Sequence, residues 1–250
     1  MKRRLPFTIA VLFAGICYAG VLYAQNDTTH NNNEMMAAQY AINAYHQYLA
    51  PQTNLYNGSE YVDYAYTINE GIPFFETAQF SNGAVEYDSV LYQNVPVLYD
   101  EVKGEVIIRD FYNRGKIVLN PEHLTSFSLL NHYFVKLMPD STSSSPIRPG
   151  FYDVLYNGNM KVYKREVKTI LESITISVEL KRTINEEDNY FIKKGNTFYT
   201  ASSKKSVLNI TKDKKKEIQQ FIRKNKLNIR RAKEYSLMKI AAYYDQLTNK

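Results

Sequence analysis

The chain has 250 residues, which is long enough for one large β domain or for one domain with an appendage. Hydrophobic residues make up 44% of it and aromatic residues 14%, so the composition excludes an intrinsically disordered protein. Its single cysteine, Cys17, excludes a disulfide within the chain.

Charge is distributed unevenly along the sequence. Residues 25–203 contain 14 Lys/Arg and 21 Asp/Glu, a net charge of −7. Residues 204–250 contain 14 Lys/Arg and 4 Asp/Glu, a net charge of +10. The formal charge of +6 therefore comes from an acidic body and a basic tail, with a further three basic residues at the N-terminus.

Residues 1–24 have the pattern of a secretory signal peptide. Basic residues at positions 2–4 precede an apolar run over 5–22, and Ala24 precedes a polar segment. We expect cleavage after Ala24, with residues 25–33 as a mobile leader. A retained membrane anchor and a lipidated Cys17 are the alternatives, since the apolar run is close to the length that spans a bilayer.

Cleavage at this point removes the only cysteine. A mature chain without cysteine has no disulfide, no thiolate nucleophile and no cysteine-ligated metal.

A helix is predicted next, over residues 34–49, because apolar residues recur every three or four positions from Ala38 to Leu49. Pro51 ends it.

Residues 83–110 predict three short strands joined by tight turns. Apolar side chains alternate on both sides of the turn at 101–104, which is the pattern of half-buried strands. Gly104 supplies the positive φ that such a turn favours. Pro96 cannot donate a ladder hydrogen bond, so it predicts a bulge or a sheet edge.

The tetrapeptide Leu-Tyr-Asn-Gly occurs at 55–58 and again at 155–158. Asn-Gly favours the paired positive φ values of a type I′ turn, so the second copy predicts a hairpin between strands at 150–156 and 160–167. We attribute the repeat to turn chemistry rather than to duplication, because four matching residues are too few.

Further strands are predicted between these segments. They cover residues 60–68, 73–78, 115–119, 132–137, 173–182, 189–193 and 196–202, with 141–149 as an exposed Ser/Pro-rich loop. About ten to twelve strands without long intervening helices predict a mainly β (α+β) fold, either an antiparallel sandwich or a partly open barrel. The expected organisation is a β-rich domain with its leading helix over 34–203, and a basic helical tail over 204–250 packed on it.

Two amphipathic helices are predicted in the tail, over residues 212–224 and 231–247. Each has an apolar stripe and a basic opposite face. The stripes are Ile218, Phe221 and Ile222 in the first helix and Leu237, Ile240, Ala241, Tyr244 and Leu247 in the second.

The sequence contains no Gly-rich phosphate loop, nucleophile elbow or zinc-protease motif. His123 and His132, with Glu122, are near enough in sequence to suggest a zinc site, but their spacing fits no common motif. Carboxylates at 100–101 and 186–188 fall at predicted turns, where we expect solvated charge rather than acid–base catalysis. We predict no catalytic, cofactor-binding or metal-binding residue.

The basic clusters of the tail are candidate contacts with an anionic surface. A solvated helix face, or a surface that docks on the acidic body, is the alternative interpretation. The candidate residues are Lys212, Lys214, Lys215, Lys216, Arg223, Lys224, Arg230 and Arg231.

Several longer stretches of the sequence resemble a known family. They are LYNGSEYVDY at 55–64, GAVEYDSVLYQNVPVLYD at 83–100, GFYDVLYNGNMKVYKR at 150–165, KDKKKEIQQFIRKNKL at 212–227 and YYDQL at 243–247. On these stretches the chain resembles a family of exported, β-rich bacterial envelope proteins with no known activity. A strand-rich exported chain with helices is also similar to lipoprotein-carrier folds, at the level of the fold alone.

We therefore expect an exported, non-enzymatic envelope protein, a binding or structural module at the periplasmic or outer-membrane surface. The alternatives are a carrier of apolar ligands or lipoproteins, and a hydrolase with an unpatterned carboxylate/His site. The expected partner is an anionic membrane surface or another envelope protein, with neither nucleic acid nor a cofactor.

Overall fold

The computed structural model describes residues 54–139, 145–174 and 179–249, together with single helical positions at Met36, Ala37, Tyr40, Ala41 and Ala44. The chain divides into two compact units, Met1–Ile42 and Asn43–Lys250. The five helical positions fall within the helix predicted over 34–49. The expected signal peptide and leader lie outside the described residues.

Among the described residues of the second unit, eleven antiparallel strands form a single sheet. They are β1 Ser59–Glu60, β2 Ser81–Tyr87, β3 Val90–Asp100, β4 Glu105–Arg109, β5 Lys116–Val118, β6 Leu124–Leu129, β7 His132–Leu137, β8 Gly150–Asn157, β9 Met160–Ile174, β10 Leu180–Lys194 and β11 Thr197–Thr200. Their order across the sheet is β1-β5-β4-β3-β2-β6-β7-β8-β9-β10-β11. The predicted mainly β, antiparallel class is confirmed, and the sheet is continuous and open.

The sheet is strongly curved, because one short segment joins strands that are far apart in the order. Glu70 bridges Thr183 in β10, and Phe74 bridges Asp100 in β3. β3 and β10 are six spacings apart, about 29 Å in a flat sheet, whereas four residues reach at most about 14 Å. The ends of β3 and β10 must therefore approach each other. We call residues 69–75 the strap.

The predicted meander over 83–110 is confirmed as β2, β3 and β4. The turn after β3 contains Gly104 at φ +70, as its sequence predicts. The pairing of β2 with β3 shifts register opposite Asn94, which has φ +56, two residues before Pro96. A bulge is therefore present in this strand, but it lies at Asn94 rather than at Pro96, which pairs with Asn82; the ladder of β3 with β4 begins only at Val97.

Aromatic rings form the core under the strap. Phe127 stacks on Phe134 with ring centroids 4.7 Å apart, and Phe75, Tyr99 and Phe151 pack edge-on around this pair. None of the five rings is more than 6% exposed. Each buried ring of this kind removes about 150–250 Å² from water, so the cluster stabilises the curved half of the sheet.

Helices cover the other end of the sheet and pack on β9, β10 and the residues after β11. They are α1 Lys204–Ile210, α2 Lys215–Lys224 and α3 Lys233–Thr248, with a short 3-10 helix, Lys212–Lys214, before α2. The two helices predicted in the tail are confirmed, and their apolar stripes contribute Ile218, Ile222, Leu237, Ile240 and Tyr244 to this core. Helix α1 was not predicted from the sequence; it begins with a capping box between Ser203 and Ser206.

The strand predicted over 173–182 is wrong. β9 ends at Ile174 and β10 begins at Leu180, and these two residues pair across the hairpin. Residues 173–174 therefore belong to the end of β9 and residues 180–182 to the start of β10, and residues 175–178 lie outside the described part of the chain. Sequence alternation alone does not mark where a long hairpin reverses.

The predicted type I′ turn at Asn157–Gly158 is also wrong, because neither residue has a positive φ. Glycine is needed there for another reason. A Cβ on Gly158 would clash with Oδ2 of Asp245, which accepts a hydrogen bond from the backbone N–H of Asn159, while Oδ1 of Asp245 accepts one from that of Met160. This close approach fastens α3 to the hairpin of β8 and β9.

Candidate functional site

The structure separates the predicted cationic contacts into distinct places. Lys212, Lys214, Lys215 and Lys216 lie in the 3-10 helix and the first turn of α2, and Lys224 ends α2. Arg231 lies in the loop before α3. Arg223 and Arg230 instead face a common groove, which the sequence alone did not indicate.

We call this groove the basic groove. It has a volume of about 660 Å³ and lies between the start of α1, the end of α2 and the loop into α3. Its charged lining consists of Lys204, Arg223, Lys226, Arg230 and Lys233, and its apolar lining of Ile222, Leu227 and Ile229.

Within the part of the chain that the structure describes, the cations of the basic groove face no carboxylate inside that groove. No aspartate or glutamate lines it. In the part of the chain that the structure describes, none of its five cations forms an ion pair with a carboxylate. The five cations repel one another, and an anion that enters the basic groove is attracted by several uncompensated positive charges at once.

Three of these five residues, Lys204, Lys226 and Lys233, were not among the predicted contacts. Lys226 and Lys233 are close in sequence to Arg223 and Arg230, so a search for cations around the loop would have found them. Lys204 is about 20 residues away, at the start of the unpredicted helix α1. No local signal indicated its position, because only helix packing brings it to the groove.

A second groove of about 500 Å³ shares Arg230 and Lys233 but has a different character. Asp188 and Glu234 also line it, and the hydroxyl of Tyr190 donates to both carboxylates, at 3.0 Å and 3.1 Å. Because Asp188 and Glu234 already place negative charge in this second groove, it attracts an anion less strongly than the basic groove does.

A row of charged side chains begins beside this second groove and continues along β9. We call Lys164, Glu166 and Lys168 the charged row. Their side chains are only 16%, 16% and 3% exposed. Lys164 Nζ lies 3.0–3.2 Å from carboxylate oxygens of Glu234, Asp188 and Glu166. Burial lowers the pKa of Lys164, but the bond with Glu234 and the neighbouring charges outweigh it and raise that pKa overall.

Lys168 ties the charged row to the strap. Its Nζ donates to the carbonyl oxygens of Phe74 at 2.7 Å and Ile72 at 3.4 Å. It also lies 3.2 Å from Oε2 of Glu101, whose side chain is 1% exposed, and 3.4 Å from Glu186. One buried ammonium therefore joins β9 to the strap, to β10 and to the turn after β3.

Glu101 is the most perturbed carboxyl of this region. Burial raises its pKa to about 7, the charge of Glu166 adds to the rise, and the ammonium of Lys168 opposes it. Its Oε2 lies 3.2 Å from Nζ of Lys168, which is its ion-pair partner. This carboxyl changes charge near neutral pH.

The expectation of solvated carboxylates at 100–101 is wrong. Asp100 is fully buried and accepts hydrogen bonds from the hydroxyls of Tyr61 and Tyr64, at 2.8 Å and 2.9 Å. Glu101 is covered by the strap, since its N–H donates to the carbonyl of Pro73. The carboxylates at 186–188 are exposed, but they lie within β10 rather than at a turn.

His123 and His132, the two histidines considered for a zinc site, have separate carboxylate partners. His123 Nδ1 is 2.6 Å from Oδ1 of Asp88, and His132 Nδ1 is 2.6 Å from Oδ2 of Asp153. Burial raises the pKa of Asp153 more than the bond from His132 lowers it. Among residues 54–139, 145–174 and 179–249, no cluster of three or more His, Cys, Asp or Glu could hold a metal ion.

A small cavity lies between the aromatic core and the charged row. Its lining includes Tyr99, Glu101, Asp153 and Glu166, and its volume is about 10 Å³. That is about the space that one water molecule occupies. In this conformation the cavity is too small for an apolar ligand or for a substrate.

Comparison of the chain with protein-family profiles, curated proteins and solved structures found no match. Within the described residues, no helix combines the length and the apolar character needed to cross a membrane.

Proposed function

We propose that the protein is an exported, non-enzymatic binding module that attaches to an anionic membrane surface of the cell envelope through its basic C-terminal helices. The observation that carries this proposal is the basic groove, where five cations lie together without a carboxylate. The cations of α2 outside the groove add to the same positive region of the sequence.

The magnitudes favour attachment without an anchor. A Lys or Arg near an anionic membrane surface contributes about 1 kcal/mol. The five cations of the basic groove then contribute on the order of 5 kcal/mol. Such binding is screened strongly at physiological salt, where the Debye length is about 8 Å.

Co-sedimentation with vesicles tests this proposal. The protein is produced from Gln25 onward, which retains the whole unit Asn43–Lys250. We expect binding to vesicles that contain anionic lipid at low salt, a sharp loss of binding at high salt, and none to neutral vesicles. Absence of binding to anionic vesicles at low salt would refute the proposal.

Export is tested separately on the native protein. N-terminal sequencing of the form isolated from cells is expected to begin at Gln25, because the sequence predicts cleavage after Ala24. Recovery of an intact Met1 terminus from the membrane fraction would instead show that the apolar segment is retained.

A further inference from the structure

We infer that the basic groove is a discrete site for one phosphomonoester group, and not only part of a diffuse positive surface. This inference rests on the proposed function, because it assigns a ligand class to the same groove. Three features carry it: the concave shape, the fixed loop that presents the cations, and the number of charges.

The shape is that of a ligand site. A volume of about 660 Å³ lies within the range of roughly 300–1,000 Å³ that small-molecule sites occupy. Ile222 and Ile229 beneath the cations are 3% and 5% exposed, because they belong to the core under the helices. The groove therefore has a firm apolar base, and charged side chains at its rim.

The end of α2 is fixed by a helix cap. The N–H of Leu227 donates to the carbonyl of Ile222 and the N–H of Lys226 to that of Arg223, which is the Schellman arrangement. Lys226 occupies the left-handed position of this cap with φ +52, where glycine is usual. The cap therefore fixes the backbone of Lys226 at the rim of the basic groove.

The following loop is fixed as well. The side chain of Asn228 accepts hydrogen bonds from the N–H groups of Arg230 and Arg231, each at 3.1 Å. The carbonyl of Asn228 accepts from the N–H of Ala232 at 2.8 Å. The backbone that carries Lys226 and Arg230 is thus ordered before any ligand arrives, which lowers the entropy lost on binding.

The charge suits a phosphomonoester. Such a group carries about −1.5 to −2 at pH 7 and presents three acceptor oxygens. The planar forks of Arg223 and Arg230 match that geometry, and the three lysines add point charges. A carboxylate carries a single negative charge and two acceptor oxygens, so it would compensate fewer of the five cations than a phosphomonoester does.

The test uses two charge-matched variants of the protein produced from Gln25. R223Q/R230Q removes two positive charges from the basic groove, and K215Q/K216Q removes two from the exposed start of α2. Glycerol 3-phosphate, inorganic phosphate and a short-chain phosphatidic acid below its micelle concentration are titrated into each protein by calorimetry at low salt. Circular dichroism checks that both variants keep the fold.

We expect saturable binding of one phosphomonoester per wild-type chain. R223Q/R230Q should weaken it at least about tenfold, since charged hydrogen bonds are lost, and K215Q/K216Q less than about twofold. Lys226→Gly should also weaken it, although glycine suits the backbone there. Tighter binding of phosphatidic acid indicates a lipid headgroup, whereas equal binding of all three probes indicates free phosphate, and either supports the site.

Two results would overturn the discrete site. One is the absence of saturable binding of every probe to the wild-type protein. The other is equal weakening by the two double variants, which is the signature of a diffuse surface. If anionic vesicles still bind at low salt in those cases, the proposed function stands and only the discrete site is lost.

Discussion

The basic groove and the charged row use the same residue types in opposite ways. The basic groove has five cations and no carboxylate, and it is open to solvent. In the charged row, each lysine has at least three carboxylates within 3.5 Å and is largely buried. The charges of the charged row are compensated within the protein, whereas the positive charges of the basic groove remain available to a ligand.

This difference separates stability from binding. Removing one member of a buried ion pair leaves an uncompensated charge in a region of low dielectric, which strongly destabilises a fold. Removing an exposed, unpaired cation affects stability little and can relieve repulsion. We therefore expect the charged row to determine stability and its pH dependence, and the basic groove to determine binding.

The largest effect is expected for Lys168→Met. It leaves Glu101 without its ion-pair partner and removes the donor to the carbonyls of Ile72 and Phe74. Loss of one partner from a buried pair costs about 3–5 kcal/mol. Urea denaturation should show a decrease of that size in the free energy of unfolding.

The control is Lys181→Met in the neighbouring strand. Lys181 also pairs with a glutamate, Glu70, but the two side chains are 39% and 59% exposed. Exposed pairs contribute about 1 kcal/mol or less. Equal destabilisation by both variants would contradict the distinction between buried and exposed charge that we draw.

The next effect is the pH dependence caused by Glu101. Its pKa is raised from 4.5 in the unfolded chain to about 7 in the fold, so the folded state binds the extra proton between these values. The stability associated with this group is complete below about pH 4.5 and is lost as the pH rises through about 7. At 1.36 kcal/mol per pKa unit, the change is on the order of 3 kcal/mol.

Glu101→Gln removes this titration. Between about pH 4.5 and pH 8, the free energy of unfolding of the variant should shift relative to wild type, in favour of the variant, by that amount. Glu187→Gln, at an exposed position of β10, should show no such shift. Parallel pH profiles of wild type and Glu101→Gln would show that Glu101 does not titrate in this range.

A smaller and opposite effect is expected for Lys226→Gly. The left-handed backbone costs an L-residue about 1–2 kcal/mol, and glycine loses about 0.5–1 kcal/mol more in entropy on folding. The variant should therefore be more stable by about 0.5–1 kcal/mol. Gln220→Gly, within α2, should be less stable by about 1 kcal/mol.

The smallest effect on stability is expected for R223Q/R230Q. Both side chains are exposed and unpaired in the described part of the chain, so the free energy of unfolding should change by less than about 0.5 kcal/mol. A loss of several kcal/mol in urea denaturation would show that the groove cations hold the fold, and the contrast with the charged row would disappear.

Structural features that depend on residues near in sequence were predicted, whereas features that depend on residues far apart in the chain were not. The turn at Gly104 and the apolar stripes of α2 and α3 follow from nearby residues, and they were predicted. The burial of Glu101 depends on Pro73 and Lys168, which are far away in sequence and meet it only because the sheet curves. A carboxylate at a turn looks solvated until the segment that covers it is known.

The basic groove was likewise only partly predictable from the sequence. Arg223 and Arg230 were among the predicted contacts because the tail is rich in Lys and Arg. Their meeting with Lys204 depends on the packing of three helices, and no periodicity gives that. The requirement for Gly158 was also hidden, because the close approach of Asp245 comes from a residue 87 positions further along the chain.

The most direct test of the central claim is hydrogen–deuterium exchange with and without anionic vesicles at low salt. We expect slower exchange at the amides that frame the basic groove, from the end of α2 to the start of α3, and unchanged exchange along the charged row in β9. Slower exchange confined to β9 and β10, or no change anywhere, would contradict the assignment of binding to the basic groove.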